Sequence, residues 1–175
     1  MLAFGDSVTF GTGAAPGEDW PGLLAAQTGW RVINAGIPGD TADAGRRRIK
    51  ALLDEHQPAL VIVEIGGNDF LRRRPQSAIK EDLRAMVQQI KLAGSQVVLI
   101  GVPELSLLAI VAGKPSDSRI YRDLADEENI PLIADVFSDV LANPALRADT
   151  IHPNATGYRQ MADGILAQLK KLGLG

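Results

Sequence analysis

Residues 60–65 read Leu-Val-Ile-Val-Glu-Ile, a run of mostly β-branched apolar side chains with a single charged member. Such a run is typical of a parallel strand that helices cover on both faces. The stretch stands between two amphipathic segments, residues 41–55 and 77–93, whose apolar side chains recur at helical spacing. Because a buried strand alternates here with amphipathic helices, this part of the chain predicts a unit of an α/β fold with a parallel sheet.

The same alternation continues in both directions along the chain. We predict further strands at residues 2–4, 31–37, 96–101 and 131–134, and further helices at 21–28, 116–128 and 154–172. Five strands in 175 residues favour an open sheet over a closed barrel, which needs about 250 residues. The sequence therefore predicts a three-layer α/β/α sandwich with a five-stranded parallel, flavodoxin-like sheet, and a single domain over residues 1–175.

Composition excludes several classes of function. The net charge of −3 and the pI of about 5.4 argue against a nucleic-acid-binding protein, which needs a clustered basic surface. We interpret the run Arg72-Arg73-Arg74 as a solvated loop. The chain has no cysteine, which excludes disulfides, thiol catalysis and cysteine-based zinc sites. No apolar run approaches the roughly 18–20 residues that span a bilayer, so we expect no stable membrane insertion.

Segments with polar side chains of the kinds found in catalytic sites follow the predicted strands. The first strand is followed by Gly5-Asp6-Ser7, the second by residues 38–41 (Pro-Gly-Asp-Thr) and the third by residues 66–69 (Gly-Gly-Asn-Asp). Residues 149–152 (Asp-Thr-Ile-His) directly precede the last helix. Ligands of open α/β sheets bind beyond the carboxyl ends of the strands. We therefore expect these four segments to share one edge of the sheet.

The residue types in these segments suit nucleophilic catalysis. A serine hydroxyl such as that of Ser7 needs a base, and His152 is the candidate, since histidine titrates near neutral pH. Asp149 would orient the imidazole and stabilise the imidazolium. The backbone N–H groups of Ser7 and Gly39 and the side-chain amide of Asn68 could stabilise an oxyanion. We predict Ser7, Asp149 and His152 as catalytic, and Ser7, Gly39 and Asn68 as the oxyanion hole.

Some of these residues have simpler interpretations. Asp6 and Asp69 are expected to be structural, and His56 to sit at a helix C-terminus, where a cation is stabilised by the helix dipole. Gly36 competes with Gly39 as the functional glycine, and Asn68 could form an Asx-turn. The apolar side chains that could either line an acyl pocket or belong to the core are Phe70, Leu105, Leu107, Leu108, Ile110 and Val111.

Together the segments resemble the SGNH (GDSL) hydrolase family. The chain carries segments similar to the family's sequence blocks, in the same order. They are Gly5-Asp6-Ser7, Gly39, residues 66–69 and Asp149-x-x-His152-Pro153. Residues 34–41 (Asn-Ala-Gly-Ile-Pro-Gly-Asp-Thr) most resemble the bacterial thioesterase I/lysophospholipase L1/arylesterase branch. The resemblance implies a flavodoxin-like fold and a serine hydrolase of aryl, acyl or lysophospholipid esters or thioesters. It further implies a Ser–His–Asp triad with Ser, Gly and Asn as oxyanion donors, and no metal or cofactor.

The chain departs from the family at two places. Val8 stands where the family often has leucine, at a structural position. Residues 103–115 are largely apolar and are expected to be compact, whereas that branch forms part of its acyl site there, so a preferred chain length cannot be carried over.

Rival functions fit less well. Gly11-Thr12-Gly13 resembles a dinucleotide-binding turn, but Pro16 replaces its third glycine. A carbohydrate O-deacetylase of the same family is the alternative enzyme, and the apolar residues 105–111 weigh against sugars. A non-catalytic binding protein is the other alternative, and it would be expected to lack Ser7 or His152.

Partners and location follow from the same features. We expect a monomer whose only partner is a small ester or acyl substrate. The first strand starts almost at residue 1, which favours a missing upstream leader and a periplasmic or secreted location over the cytoplasm.

Overall fold

A five-stranded parallel sheet forms the centre of the computed structural model, which describes residues 1–104 and 115–174. The strand order is β2-β1-β3-β4-β5, the flavodoxin-like order. The strands are β1 (Leu2–Gly5), β2 (Ile33–Gly36), β3 (Leu60–Glu64), β4 (Gln96–Ile100) and β5 (Leu132–Ile133). The predicted fold class is confirmed; that residues 1–175 form a single domain stays a prediction.

Eight α-helices and one short 3-10 helix are found among the described residues. They are α1 (Ser7–Phe10), α2 (Trp20–Thr28), α3 (Ala42–His56), α4 (Gly67–Leu71), α5 (Gln76–Leu92), α6 (Arg119–Glu128), α7 (Val136–Ala142), the 3-10 helix (Pro144–Leu146) and α8 (Ala155–Lys171). Thr41 and Asn154 cap α3 and α8 through side-chain oxygens that accept backbone N–H groups. These two predicted helix starts are confirmed.

The helices form a layer on each side of the sheet. Helix α5 packs against both α3 and α6, and α2, α7 and α8 form a second group in which α8 contacts the other two. Every residue of β1 and β3 is buried, as expected for strands covered on both faces. Phe4, Ile62 and Leu99 are fully buried members of one continuous apolar core.

Some predicted boundaries were wrong. The second and fifth strands are shorter than predicted, at Ile33–Gly36 and Leu132–Ile133. Helix α6 begins at Arg119 and not at residue 116, because Asp117 pairs with Pro103 in a β-bridge and the N–H of Ser118 bonds to the carbonyl of Val102. The short helices α1, α4 and α7 were not predicted, since four to seven residues carry too little periodicity.

The fold places the predicted segments at one point of the sheet. Strand β1 lies between β2 and β3, so the order of connection reverses there, and ligands bind at this reversal in open α/β sheets. Ser7 follows β1 and Asn68 follows β3.

Within residues 1–104 and 115–174, none of the helices has the length and apolar character needed to cross a membrane.

Candidate active site

Ser7 is the first residue of α1, and local hydrogen bonding fixes its position. The Asp6 carboxylate caps the helix by accepting the N–H of Val8 at 3.1 Å, which is the structural role expected for Asp6. At the first helical position an N–H has no partner inside the helix, and that of Ser7 has no acceptor among the described residues. The Ser7 Oγ lies 2.9 Å from Nε2 of His152.

Asp149 contacts His152 through both carboxylate oxygens. Its Oδ2 lies 2.7 Å from Nδ1 of His152, and its Oδ1 accepts the backbone N–H groups of Ile151 and His152, each at 2.8 Å. Burial by itself raises the pKa of Asp149, but the hydrogen bonds from His152 and the two backbone N–H groups outweigh it and hold this pKa below its usual value. Asp149 is therefore ionised at neutral pH and aligned on the imidazole.

The segment that carries His152 is pinned at both ends. The N–H of Ala148 bonds to the carbonyl of His152 at 2.9 Å. The Asn154 amide donates to the carbonyls of Ala145 and Arg147 while its oxygen caps α8. These hydrogen bonds hold in place the backbone of the residue that carries the imidazole.

The amide of Asn68, in α4, lies close to the same point. Its Nδ2 donates to the carbonyl of Asp40 at 2.9 Å and faces Oδ2 of Asp6 at 3.4 Å. A hydrogen bond of 3.4 Å is weak compared with one of 2.9 Å. One of the two amide hydrogens is therefore firmly held, and the other is available to a better acceptor.

The two candidate glycines have different surroundings. A Cβ at Gly36 would lie 2.2 Å from the backbone N of Phe10 and 2.7 Å from its Cα, so Gly36 is needed for the packing of α1 on β2. Gly39 has a φ of +84° and a Cβ there would meet no heavy atom within 4 Å. Its N–H has no acceptor among the described residues, and Arg72 donates to its carbonyl at 3.2 Å. Gly39 thus offers a free N–H beside open space.

A small depression, with a volume of about 10 Å³, lies over the Ser7 hydroxyl. Ser7, Asn68 and His152 line it, and Gly39 does not, although its neighbour Asp40 contacts Asn68. The remaining lining residues are four apolar side chains, one glycine and two acids, namely Val8, Leu71, Phe137, Ile151, Gly67, Asp6 and Glu64.

Of the apolar candidates, Phe70 belongs to the core. It is 8% exposed and packs edge-on against Tyr121, with 6.5 Å between ring centroids. The candidates from Leu105 to Val111 lie outside the described residues.

Two buried acids lie beneath the nucleophile. Burial raises the pKa of Asp6 to about 7, with the N–H of Val8 opposing and the charges of Asp69 and Asp40 adding to the shift. Burial and the charge of Asp6 raise the pKa of Glu64 well above its usual value. The surroundings of Glu64 therefore favour its protonated form. Its Oε2 accepts from Thr9 Oγ1 at 2.8 Å, and its Oε1 has no partner among the described residues.

Asp69 has the structural role that the sequence predicted. It is fully buried, accepts the first N–H of α3 from Ala42 at 2.8 Å, and forms an ion pair with Arg74. It therefore fixes the start of α3 against α4. The prediction of a solvated loop for residues 72–74 holds for the exposed Arg72 and Arg73 and was wrong for Arg74, which also pairs with Asp82.

Sequence reasoning overlooked Glu64 and Arg48, two charged residues next to the site. Glu64 carried a signal, since it is the single charged side chain in the buried run 60–65. Arg48 carried none, because it stands in a run of three arginines, residues 46–48, on an amphipathic helix.

Comparison with known proteins places this arrangement in a family. Residues 3–160 match the family model described as the GDSL-like lipase/acylhydrolase family. The chain belongs to this family. The resemblance found in the sequence is thereby confirmed, and the chain is a carboxylic ester hydrolase of the GDSL family.

Curated relatives agree with the branch that residues 34–41 indicated. Thioesterase 1/protease 1/lysophospholipase L1 of Escherichia coli (strain K12) is 35% identical, over 98% of this chain and 84% of its own length. Esterase TesA of Pseudomonas aeruginosa is 32% identical, over 98% of this chain and 88% of its own length.

Solved structures show the same fold. The structure of TesA superposes with a TM-score of 0.84 at 32% identity, covering 98% of both chains. The psychrotrophic esterase EstA from Pseudoalteromonas sp. also gives a TM-score of 0.84, at 26% identity, covering 99% of this chain and 98% of its own. The family, the enzyme class and the fold therefore agree.

Proposed function

We propose that this enzyme hydrolyses acyl esters and thioesters through an acyl-enzyme on Ser7, with His152 as base and Asp149 as its orienting carboxylate. The observation that carries the proposal is the continuous line of contacts from Ser7 Oγ to His152 Nε2 (2.9 Å) and from His152 Nδ1 to Asp149 Oδ2 (2.7 Å). A nucleophile within hydrogen-bond reach of a base that is itself oriented by a third group is the arrangement that activates serine.

The first half-reaction forms the acyl-enzyme. Ser7 Oγ attacks the carbonyl carbon while Nε2 of His152 takes the hydroxyl proton, and the C=O electron pair moves to oxygen. The oxyanion accepts the N–H groups of Ser7 and Gly39 and the weakly bonded second amide hydrogen of Asn68. The intermediate collapses, the C–O or C–S bond to the leaving group breaks, and His152 returns its proton to the departing oxygen or sulfur.

The second half-reaction releases the acid. Water attacks the acyl-enzyme carbonyl while His152 Nε2 takes one of its protons. The Ser7 Oγ–acyl bond then breaks and His152 returns the proton to Oγ. Asp149 stays ionised throughout and stabilises the imidazolium formed in each half-reaction.

Apolar side chains around the site support acyl substrates. Leu71 and Ile151 line the depression, and Phe10, Ile37 and Leu71 are 56%, 46% and 43% exposed on segments that flank Ser7, Gly39 and Asn68. Each methylene removed from water contributes about 0.8 kcal/mol. Acyl chains that reach these side chains are expected to be turned over in preference to acetate. The names of the two curated relatives described above, which include thioesterase, lysophospholipase and esterase, point to the same substrates.

The test is turnover of p-nitrophenyl esters from acetate to palmitate, and of acyl-CoA thioesters, by the wild type and by Ser7→Ala. We expect the variant to lose at least about 10⁴-fold in kcat, and the exposed Ser77→Ala in α5 to keep the wild-type rate. Ser7→Ala that retains a tenth of the activity would overturn the proposal. Turnover confined to acetate would favour an O-deacetylase instead.

We also propose that the enzyme acts as a monomer, because one chain supplies every residue assigned above. Light scattering during gel filtration is expected to give the mass of one chain, 18.6 kDa. Activity that depends on enzyme concentration would contradict it.

A further inference from the structure

We propose that Arg48 is a positioning residue that holds the nucleophile segment and the oxyanion segments in register. The inference rests on the proposed function, since it concerns the same site. Arg48 lies in α3 and donates from Nε to Oδ2 of Asp40 at 2.6 Å and from Nη2 to the carbonyl of Gly5 at 2.9 Å.

The two acceptors belong to different site segments. Gly5 ends β1, two residues before Ser7, and Asp40 directly follows Gly39. The carbonyl of Asp40 in turn accepts the firm hydrogen bond of the Asn68 amide, at 2.9 Å. One guanidinium therefore connects the segments after β1 and β2 directly, and the amide in α4 through a single residue.

The surroundings of Arg48 fix its plane as well as its position. Its Cζ lies 4.1 Å from the ring centroid of Phe4, which is fully buried in β1. The side chain of Arg48 is 21% exposed and that of Asp40 is 13% exposed. A planar guanidinium donates in fixed directions, and the Phe4 ring lies against this one. A lysine ammonium at the same place is a point charge and cannot serve both acceptors from one plane.

A positioning role for Arg48 predicts a kinetic result that a role in fold stability alone does not. If Arg48 only stabilised the fold, its loss would lower the melting temperature and the amount of active enzyme. Because it connects the groups that act on the carbonyl, we expect its loss to slow turnover in folded protein. Displacing a catalytic group by about 1 Å costs on the order of 10²-fold in rate.

The experiment compares Arg48→Ala, Arg48→Lys and Arg47→Ala, with Ser7→Ala beside them. Arg47 is one residue away on α3, forms an ion pair with Asp43 at 2.6 Å and has a side chain that is 67% exposed. We measure kcat and KM with p-nitrophenyl butyrate, melting temperatures, and rates with added guanidinium chloride at millimolar concentration.

For Arg48→Ala we expect kcat to fall about 10²-fold, with KM changed less than about threefold and part of the rate restored by guanidinium. Arg48→Lys is expected to melt near the wild-type temperature and still turn over at least about tenfold more slowly. Arg47→Ala is expected to keep the wild-type rate, with no response to guanidinium beyond that of the wild type.

Two results would overturn the inference while leaving the proposed function intact. One is an Arg48→Ala or Arg48→Lys protein with kcat within twofold of the wild type, when Ser7→Ala is inactive. The other is a loss that guanidinium does not restore and that follows the melting temperature alone. If Arg48→Ala does not fold, Arg48→Lys decides between the same outcomes. Activity in Ser7→Ala would instead overturn the proposed function itself.

Discussion

Replacing Asp149 with asparagine tests the orientation of His152. In the enzyme, Oδ1 of Asp149 accepts two backbone N–H groups at 2.8 Å, and Oδ2 lies 2.7 Å from His152 Nδ1. An asparagine keeps its oxygen on the two N–H groups, which places its NH₂ against Nδ1. The imidazole then carries its proton on Nε2, and that nitrogen can no longer accept the proton of Ser7.

The size of the effect follows from the cost of reversing the amide. Turning it over breaks two hydrogen bonds, worth about 1 kcal/mol each, and leaves two backbone donors facing an NH₂, at about 1 kcal/mol each for this half-exposed residue. Taken together, the two donors lose about 2 kcal/mol each, and the total of about 4 kcal/mol corresponds to about a 10³-fold loss in kcat, since 1.36 kcal/mol is a factor of ten. Because the backbone bonds to Oδ1 remain, we expect little change in the melting temperature.

Initial rates with p-nitrophenyl butyrate, together with thermal melts, measure both effects. The control is Asp54→Asn, which removes an exposed carboxylate that pairs with Lys50 on α3 and is expected to leave the rate unchanged. An Asp149→Asn enzyme within tenfold of the wild-type kcat would show that residue 149 does not set the tautomer of His152.

The two glycines before α3 are predicted to differ: Gly36→Ala should fail to give folded protein, while Gly39→Ala should fold with a loss of about 1–2 kcal/mol for its positive φ and turn over more slowly. Circular dichroism and rate measurements check both, and a stable Gly36→Ala would contradict the packing argument. Burial raises the pKa of Asp6 to about 7. The protonated Asp6 therefore stabilises the folded protein at low pH, and this contribution is lost as pH rises through about 7. Asp6→Asn, which can still cap α1, should therefore gain in melting temperature over the wild type between pH 5 and 8; a difference that does not change with pH would count against this. Glu64→Gln, a neutral isostere of a protonated acid, should melt within a few degrees of the wild type, and a large loss would show that Glu64 is ionised.

The sheet and the edge that carries the site could be predicted because both depend on local patterns. The run at residues 60–65 and its flanking helices required only hydrophobicity and periodicity, and they correspond to β3, α3 and α5. Ligands of parallel sheets bind at the carboxyl ends of the strands, and this rule predicted that the segments with Ser7 and Asn68 lie close together. The structure places these two residues with His152 around one depression.

What could not be predicted depends on contacts between distant residues or on elements shorter than a helical period. Helix α1 has four residues, with the Asp6 side chain capping its start and Gly11 in the left-handed conformation ending it. Arg48 contacts Gly5 across 43 positions of the chain, and its neighbours in the arginine run pair with Asp43 instead. Gly36 and Gly39 are the same residue type, and the sequence does not show that Phe10 of α1 lies against Gly36 while Gly39 has a positive φ beside open space.

The most direct test of the central claim is to find the nucleophile by covalent labelling. The enzyme is treated with a fluorophosphonate ester, and the adduct is located by intact-protein and peptide mass spectrometry. We expect one adduct per chain on Ser7, none in Ser7→Ala, and much slower labelling of His152→Ala. An adduct on another residue, or labelling of Ser7→Ala at the wild-type rate, would contradict the assignment of Ser7 as nucleophile.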